Sequence, residues 1–282
     1  MGEDEGGARH GEAGATVLDR AKFTRLGPAR RVWAIGAIHG DIDRLIRVHR
    51  DLAARLATGD RLVYLGNYLG VGAGSGGVLD ELLAFRRLAL ARPNAFVCDL
   101  AYLRGAQEEM WHKLLQLQLA MEPTQVLAWM IQRGVDATIR AYGFDAEGGM
   151  AAARVSVTAL TRWTGALREA MRGHPGHDEF LHSLKRAAFT THDGLLFVHS
   201  GLDPSRPLAA QGDALWWGSG GFAALGAPYA GFRRVVRGFD PRHGGIAETP
   251  YTVTADAGCG FGGALKALCL DPTGAVIDRI DG

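Results

Sequence analysis

Cysteine is scarce in this chain. Three occur in 282 residues, Cys98, Cys259 and Cys269, with no C-x-x-C pairing among them. An odd, scattered set excludes a disulfide framework and a cysteine-built zinc module, and fits free thiols in a reducing cytoplasm. Long apolar runs are also missing; nothing approaches the roughly 18 or more consecutive apolar residues of a membrane span. The opening residues MGEDEGGARHGEAG carry no apolar stretch of a secretory leader. Gly6 stands where a myristoylation signal requires Ser or Thr. Charge of one sign is lacking too. The 31 basic and 30 acidic residues leave a formal charge of +1, so no broad field draws the chain to nucleic acid or to an anionic membrane. The expectation is a cytoplasmic protein with neither nucleic acid nor membrane among its partners.

What the chain has in abundance is glycine, 40 residues of it, clustered at Gly70 to Gly77, Gly218 to Gly221 and Gly258 to Gly263. Glycine supplies backbone angles closed to other residues, and it is also what remains when a loop side chain is lost. A hydrophobic fraction of 47% and a charged fraction of 22% are those of an ordinary globular protein. The length suits one large domain or two small ones.

Residues 1–26 hold little apolar content and read as a disordered tail, with one domain expected over 27–282. Val32 to Ile35 is a short apolar run ended by Gly36, and Arg61 to Leu65 is another ended by Gly66; both read as buried strands. Ile42 to Leu56 and Val78 to Leu90 carry apolar residues at helical spacing. Ala95 to Cys98 reads as a third strand. Strand and helix alternate, which predicts parallel pairing in an α/β layered architecture. From Glu108 to about Ala188 the pattern is helical, with breaks at Pro123, Gly143 to Gly149 and Pro175. Short strands then follow at 194–198, 234–236, 251–254, 264–270 and 275–280. A β-rich half against an αβ half predicts two packed sheets with helices outside.

Ligands in open α/β sheets collect at the carboxyl ends of strands. The segments there are Gly36-Ala37-Ile38-His39-Gly40-Asp41, Gly66-Asn67-Tyr68-Leu69-Gly70-Val71, Leu103-Arg104-Gly105-Ala106-Gln107-Glu108, His199-Ser200-Gly201 and Arg237-Gly238-Phe239-Asp240-Pro241. In order and spacing they resemble the motifs of calcineurin-like metallophosphoesterases, in the branch of bacterial phosphoprotein phosphatases and symmetrical bis(5'-nucleosyl)tetraphosphatases. That branch reads Gly-Asp-x-His-Gly, Gly-Asp-x-x-Asp-Arg-Gly, Leu-Arg-Gly-Asn-His-Glu, Val-His-x-Gly and His-Gly-His-Thr-Pro. The connectors 129–143, 177–184 and 256–268 resemble bacterial members as well. The resemblance implies an α/β fold, a four-layer α/β/β/α sandwich of two mixed sheets.

Members hold two divalent ions (Mn, Fe or Zn) about 3.5–4 Å apart, which bind phosphate and activate water. By resemblance the first ion falls to positions Ala37, His39 and Asn67, and the second to Asn67, Ala106, His199 and Phe239. Only His39 and His199 keep the ligand type of the family. Ala37 and Ala106 donate nothing, Asn67 lacks the charge of the bridging aspartate, and Phe239 replaces a histidine. Gln107 stands where the family has a proton-donating histidine, and an amide transfers no proton near neutral pH. Gly70 replaces the aspartate that orients that histidine, Val71 replaces an arginine, and Ser219 stands near the place of another. Arg104 and Arg237 fall at phosphate-facing positions; for Arg104 an ion pair with the nearby Glu108 or Glu109 is the equal alternative. Asp41, Asp99, His243 and Asp256 are the residues from which a metal site would have to be rebuilt. The glycines at 70–77 lack the lysine of a phosphate-cradling loop and read as decay of the motif.

With acids and ligands lost together, no catalytic residue is expected intact and no cofactor is expected. Remnant donors are His39, Asn67 and His199. The reading is a non-catalytic binding or regulatory module whose partner is an unknown protein or a phosphorylated ligand. Two alternatives remain: a phospho-ligand reader using Arg104 and Arg237, and a residual metal-dependent phosphoesterase of the Ser/Thr phosphatase or dinucleoside polyphosphate hydrolase type.

Overall fold

The computed structural model describes residues 18–190, 194–218 and 220–282. Two mixed sheets form its centre. The first has the strand order β11-β10-β2-β3-β4, from β2 (Arg31–Ile35), β3 (Asp60–Tyr64), β4 (Leu100–Tyr102), β10 (Lys266–Leu270) and β11 (Val276–Asp281). The second has the order β1-β5-β6-β7-β9-β8, from β1 (Phe23–Arg25), β5 (Ala187–Phe189), β6 (Leu195–Val198), β7 (Arg234–Arg237), β8 (Ala247–Glu248) and β9 (Thr252–Thr254).

Strand side chains alternate between faces, and here each face has its own core. Val32, Ala34, Val63 and Leu65 meet Phe197, Val236, Val253 and Leu268 between the sheets. Trp33, Ile35, Leu62 and Tyr64 face the other way, beneath the helices. Those helices are α1 (Ile42–Arg55), α2 (Ser75–Leu90), α3 (Ala106–Leu114), α4 (Pro123–Ile131), α5 (Val135–Ala141), α6 (Ala146–Val155), α7 (Val157–Arg172) and α8 (His177–Ser183). The outer face of the second sheet is covered more thinly, by a 3₁₀ turn at Leu208–Ala210, the short α9 (Ala214–Trp217) and loops carrying Phe222 and Tyr229. Burial on both sides explains why β2 and β3 read as unbroken apolar runs. Among the described residues, no helix is long and apolar enough to cross a membrane.

Four expectations need correction. The third strand lies at Leu100–Tyr102, not at Ala95 to Cys98. Val97–Asp99 is a 3₁₀ turn, in which the Asp99 carboxylate accepts the Phe96 N–H at 2.9 Å and pairs with Arg61 at 3.2 Å. Phe96 and Val97 are exposed, so the apolar run there marked no buried strand. The glycines at 148 and 149 do not break the chain. They lie inside α6, whose start is capped by Asp145, and Gly149 lets the Trp163 ring of α7 approach where a Cβ would stand at 2.7 Å. Helix α2 starts at Ser75, inside the glycine run and ahead of the expected Val78. Order also begins before Arg31. Phe23, Thr24 and Arg25 pair in parallel with Ala187, Ala188 and Phe189, and Phe23 and Leu26 are buried. The expected tail is therefore wrong for residues 18–26; its remainder, 1–17, lies outside the described residues.

Because β2, β3 and β4 are mutually parallel, as are β6, β7 and β9, their carboxyl ends gather the motif loops along one edge. A test of the early boundary follows from the burial of Phe23. Phe23→Ala is expected to cost about 3 kcal/mol in urea denaturation, the usual penalty for emptying an aromatic site. An unchanged midpoint would return residues 18–26 to a dispensable tail.

Candidate functional site

The loop after β3 is built on a buried carboxylate. Glu108, on the first turn of α3, accepts the N–H groups of Asn67, Tyr68, Leu69 and Gly105 at 2.8–3.1 Å. Burial pushes this carboxyl up from its ordinary range, and the four amide donors pull it back. The grip holds Asn67 at φ 55°, in the left-handed region that asparagine tolerates. His39 (φ 52°) and Val71 (φ 60°) are held there as well, and for a β-branched valine this is an outlier.

From that platform runs a chain of neutral hydrogen bonds. His39 Nδ1–H donates to the Cys259 carbonyl at 3.0 Å, which leaves Nε2 as the acceptor of the neutral ring. Asn67 Nδ2–H donates to that Nε2 at 2.9 Å, and Asn67 Oδ1 accepts the Gln107 N–H at 2.9 Å. The tautomer and the amide orientation are set by this one consistent pattern. Gln107 Nε2 donates onward to the Arg133 carbonyl at 2.7 Å. His199 sits deeper. Its Nδ1–H donates to the Leu65 carbonyl at 2.7 Å, its Nε2 has no partner, and its ring stacks on Phe239 with centroids 5.5 Å apart. Burial drives the His39 imidazole down to about 3, with the His199 and His243 rings adding to the shift and the Cys259 carbonyl opposing it. Burial drives His199 down to about 4. Both are uncharged at neutral pH.

His39, Asn67, Ala106, Gln107, Val71 and Phe239 line one cleft of about 640 Å³. His199 does not line it, being fully buried behind Phe239. Ala37 is buried, and its N–H bonds the Gly238 carbonyl at 2.9 Å, which ties the loop after β2 to the loop after β7.

The glycine run is more than decay. A Cβ on Gly70 (φ 77°) would stand 2.1 Å from Gln107 Oε1, so the glutamine side chain fills the room that a residue at 70 would take. Gly72 N–H bonds the His39 carbonyl at 2.9 Å, and a Cβ there would stand 2.7 Å from that same oxygen. These two glycines are demanded by close approach.

The arginines expected to face a phosphate turn elsewhere. Arg104 pairs with Glu109 at 3.2 Å and lines a separate small pocket with Trp111, His112 and Arg168. Arg237 pairs with Asp240 at 3.0 Å, bonds Thr254 Oγ1 at 3.0 Å and lies over the Phe222 ring, beside a third pocket. Neither lines the cleft with His39, so the two arginines do not converge on it as a reader of phosphate requires. The candidates for a rebuilt metal site are dispersed too. Asp41 caps α1, Asp99 pairs with Arg61, Asp256 accepts the Asp240 and Gly258 N–H groups, and His243 lies 3.9 Å from Asp256. Ser219 lies outside the described residues. Among the described residues, no group of three or more His, Cys, Asp or Glu side chains is placed to hold a metal ion.

The donor chemistry does not fit the ion pair that the motifs imply. The His39 lone pair and the Asn67 amide engage each other, and positions 37, 106 and 239 present no donor atom. His199 Nε2 alone is unengaged, and one imidazole nitrogen does not make a two-ion centre. Sequence reasoning missed Glu108 as the clamp and missed the aromatic side chains of the cleft, Trp129, Trp217 and Phe261. The dipeptide Trp216-Trp217 and the tryptophan on α4 were the available signal.

No protein-family model matches the chain, and no curated protein sequence does. Solved structures do. A protein described as a diadenosine tetraphosphatase is similar at 20% identity and a TM-score of 0.53, over 93% of this chain and 98% of that one. A protein serine/threonine phosphatase from Saccharomyces cerevisiae with similarity to human phosphatase PP5 is similar at 15% identity and a TM-score of 0.50, over 92% of this chain and 82% of that one. At such identities the likeness establishes the fold, which is that of the calcineurin-like phosphoesterases.

Two outcomes test the hydrogen-bond chain. Asn67→Asp restores a carboxylate but sets an acceptor against the His39 Nε2 lone pair. It is expected to cost about 2 kcal/mol at pH 8, and the gap should narrow as pH falls and His39 becomes able to donate. A variant as stable as the parent at pH 8 would remove the chain from the argument. The second outcome is a pH profile. Both imidazoles have folded values below the ordinary 6.5, so the unfolded chain binds more protons as pH drops. Stability is full above about pH 6.5 and declines toward 4 and 3, by up to about 1.4 kcal/mol per pH unit per histidine. Urea titrations across that range should show a shallower slope for His39→Gln; an equal slope would show that His39 is not buried neutral.

Proposed function

We propose that this chain is a non-catalytic binding module that keeps the phosphoesterase shell and has exchanged its ion centre for a neutral hydrogen-bonded core. The observation that carries the reading is the His39–Asn67–Gln107 chain. Within it, His39 and Asn67, two positions that a phosphoesterase would turn toward ions, are turned toward each other and the backbone. The apolar side chains of Ala37, Ala106 and Phe239 complete the exchange.

Hydrolysis would need two things that these residues do not supply. A phosphate ester needs positive charge on its non-bridging oxygens as the attacking oxygen approaches. The motif arginines are paired with Glu109 and Asp240 instead. The leaving oxygen needs a proton, and Gln107 is an amide held by the Arg133 carbonyl. The cleft is a cavity with polar anchors and no proton donor matched to neutral pH, which suits recognition. A role as a reader of phosphate through Arg104 and Arg237 finds no support in their placement.

Purified protein dialysed against Mn²⁺ or Zn²⁺ is expected to retain well under one equivalent of metal, with an unchanged melting temperature, since a bound ion would stabilise the native state. Aryl phosphates, phosphopeptides and dinucleoside polyphosphates should be hydrolysed no faster than in buffer. Chelator-sensitive turnover that His39→Ala abolishes would overturn the reading.

A further inference from the structure

The cleft has a chemical character of its own, apart from the loss of ligands. Two aromatic clusters line it. In one, Trp129 of α4 meets Trp217 of α9 edge to face, with ring centroids 5.6 Å apart. In the other, the Phe261 and Phe239 rings each meet the His39 ring edge to face, at 5.1 and 5.3 Å. Phe261 is 51% exposed and Trp129 36%. Large rings left in contact with solvent inside a concavity are unusual, because burying them would be favourable. The loop bearing Phe261 runs through Gly258, Gly260 and Gly262, all at positive φ. A Cβ on Gly260 would stand 2.6 Å from the His39 Cβ, so this loop is seated against His39 and presents Phe261 to the cleft.

The charge of the cleft is equally particular. Among the described residues, no Asp or Glu lines it. His39 is buried and neutral. The one cation among the lining residues is Arg133, which is exposed and lies over the Trp129 ring at 4.3 Å. Among the described residues, its guanidinium has no carboxylate partner, unlike Arg104 and Arg237. The contact with Trp129 holds the guanidinium against the cleft wall. A volume of about 640 Å³ lies in the range of small-molecule sites, roughly 300–1,000 Å³.

From these features we infer that the cleft binds a small planar aromatic carboxylate, its ring against the Trp129–Trp217 and Phe239–Phe261 clusters and its carboxylate on Arg133. The inference rests on the binding-module reading and names the ligand class of that same site. Aromatic walls favour a flat ring over an aliphatic chain through offset and edge contacts. The unpaired guanidinium and the absence of lining acids favour an anion over a cation or a neutral compound. A single cation matches a single carboxylate better than a dianionic phosphate, for which the cleft has one arginine and no second positive group.

The test uses naphthalene-2-carboxylate and its neutral amide, which share one ring system, titrated into the full chain by calorimetry with EDTA present. The carboxylate is expected to bind at least about fivefold more tightly than the amide, as for a partly exposed charge pair, and the preference should shrink as salt rises. Arg133→Met should remove the preference and leave amide binding unchanged. Phe261→Ala should weaken both probes together. The inference is overturned if neither probe binds at millimolar concentration, or if Arg133→Met keeps the fivefold preference. Failure of the underlying reading looks different: in a parallel titration without EDTA the carboxylate would bind, and with EDTA that binding would be lost, because retained ions would be the anion site.

Discussion

The Glu108 carboxylate is the constraint on which the site depends. It is buried and engages four backbone N–H groups from the loops after β3 and β4. Removing it would leave four donors without acceptors in a place that water does not reach, which is why such a group is costly to lose. Because the grip includes the Asn67 and Tyr68 amides, it sets the left-handed turn at Asn67. That turn aims the Asn67 side chain at His39. The contacts of the cleft follow from that aim: the Asn67 amide donates to the imidazole, the imidazole donates to the Cys259 carbonyl, and the His39 Nε2 lone pair is engaged.

Charge explains why these residues suit one another. Carboxylates that face two cations are stable only while the cations are present; without them, like charges would crowd a buried cleft. An asparagine at 67 and alanines at 37 and 106 remove that repulsion. The amide also adds what a carboxylate lacks, a donor for the His39 lone pair. Phe239 then takes a place against both imidazoles, stacked on His199 and edge-on to His39. That contact is favourable for neutral rings in a dry site, and both rings are neutral there. The low imidazole values, the amide and the phenyl ring form one self-consistent solution.

Much of this was legible in the residues. The strands at 31–35 and 60–64 are apolar runs closed by Gly36 and Gly66, because both faces of the first sheet are covered. The motif loops follow them at spacings that parallel pairing brings to one edge, so His39, Asn67, Ala106, His199 and Phe239 were expected to line one cavity; four of them do and His199 does not. What was not legible depends on direction. Arg104 and Arg237 keep phosphate-facing positions in the chain, yet each finds an acid five or three residues on, Glu109 and Asp240. A local ion pair of that kind competes with any pocket, and sequence order says nothing of which wins. His199 was read as a lining residue, but its ring lies behind Phe239. β1 was missed because three residues at a sheet edge carry no periodicity, and β4 because an exposed turn with apolar side chains precedes a short strand.

The glycines carry the same lesson with the opposite sign. A run of them looks like lost function when the missing side chains are known from a motif. At Gly70 and Gly72 the geometry demands glycine, since a Cβ at either place would collide with Gln107 or with the His39 carbonyl. A glycine at 70 and the inward placement of the Gln107 amide therefore go together. The glutamine reaches the Arg133 carbonyl across space that a larger residue at 70 would occupy. That bond ties the first turn of α3, which bears Gln107, to the turn bearing Arg133, just past α4, and so holds that turn beside the tryptophans, with Arg133 the one lining cation among the described residues. The glycine-rich loop is in this way part of the frame that shapes an aromatic cavity with one lining arginine among the described residues.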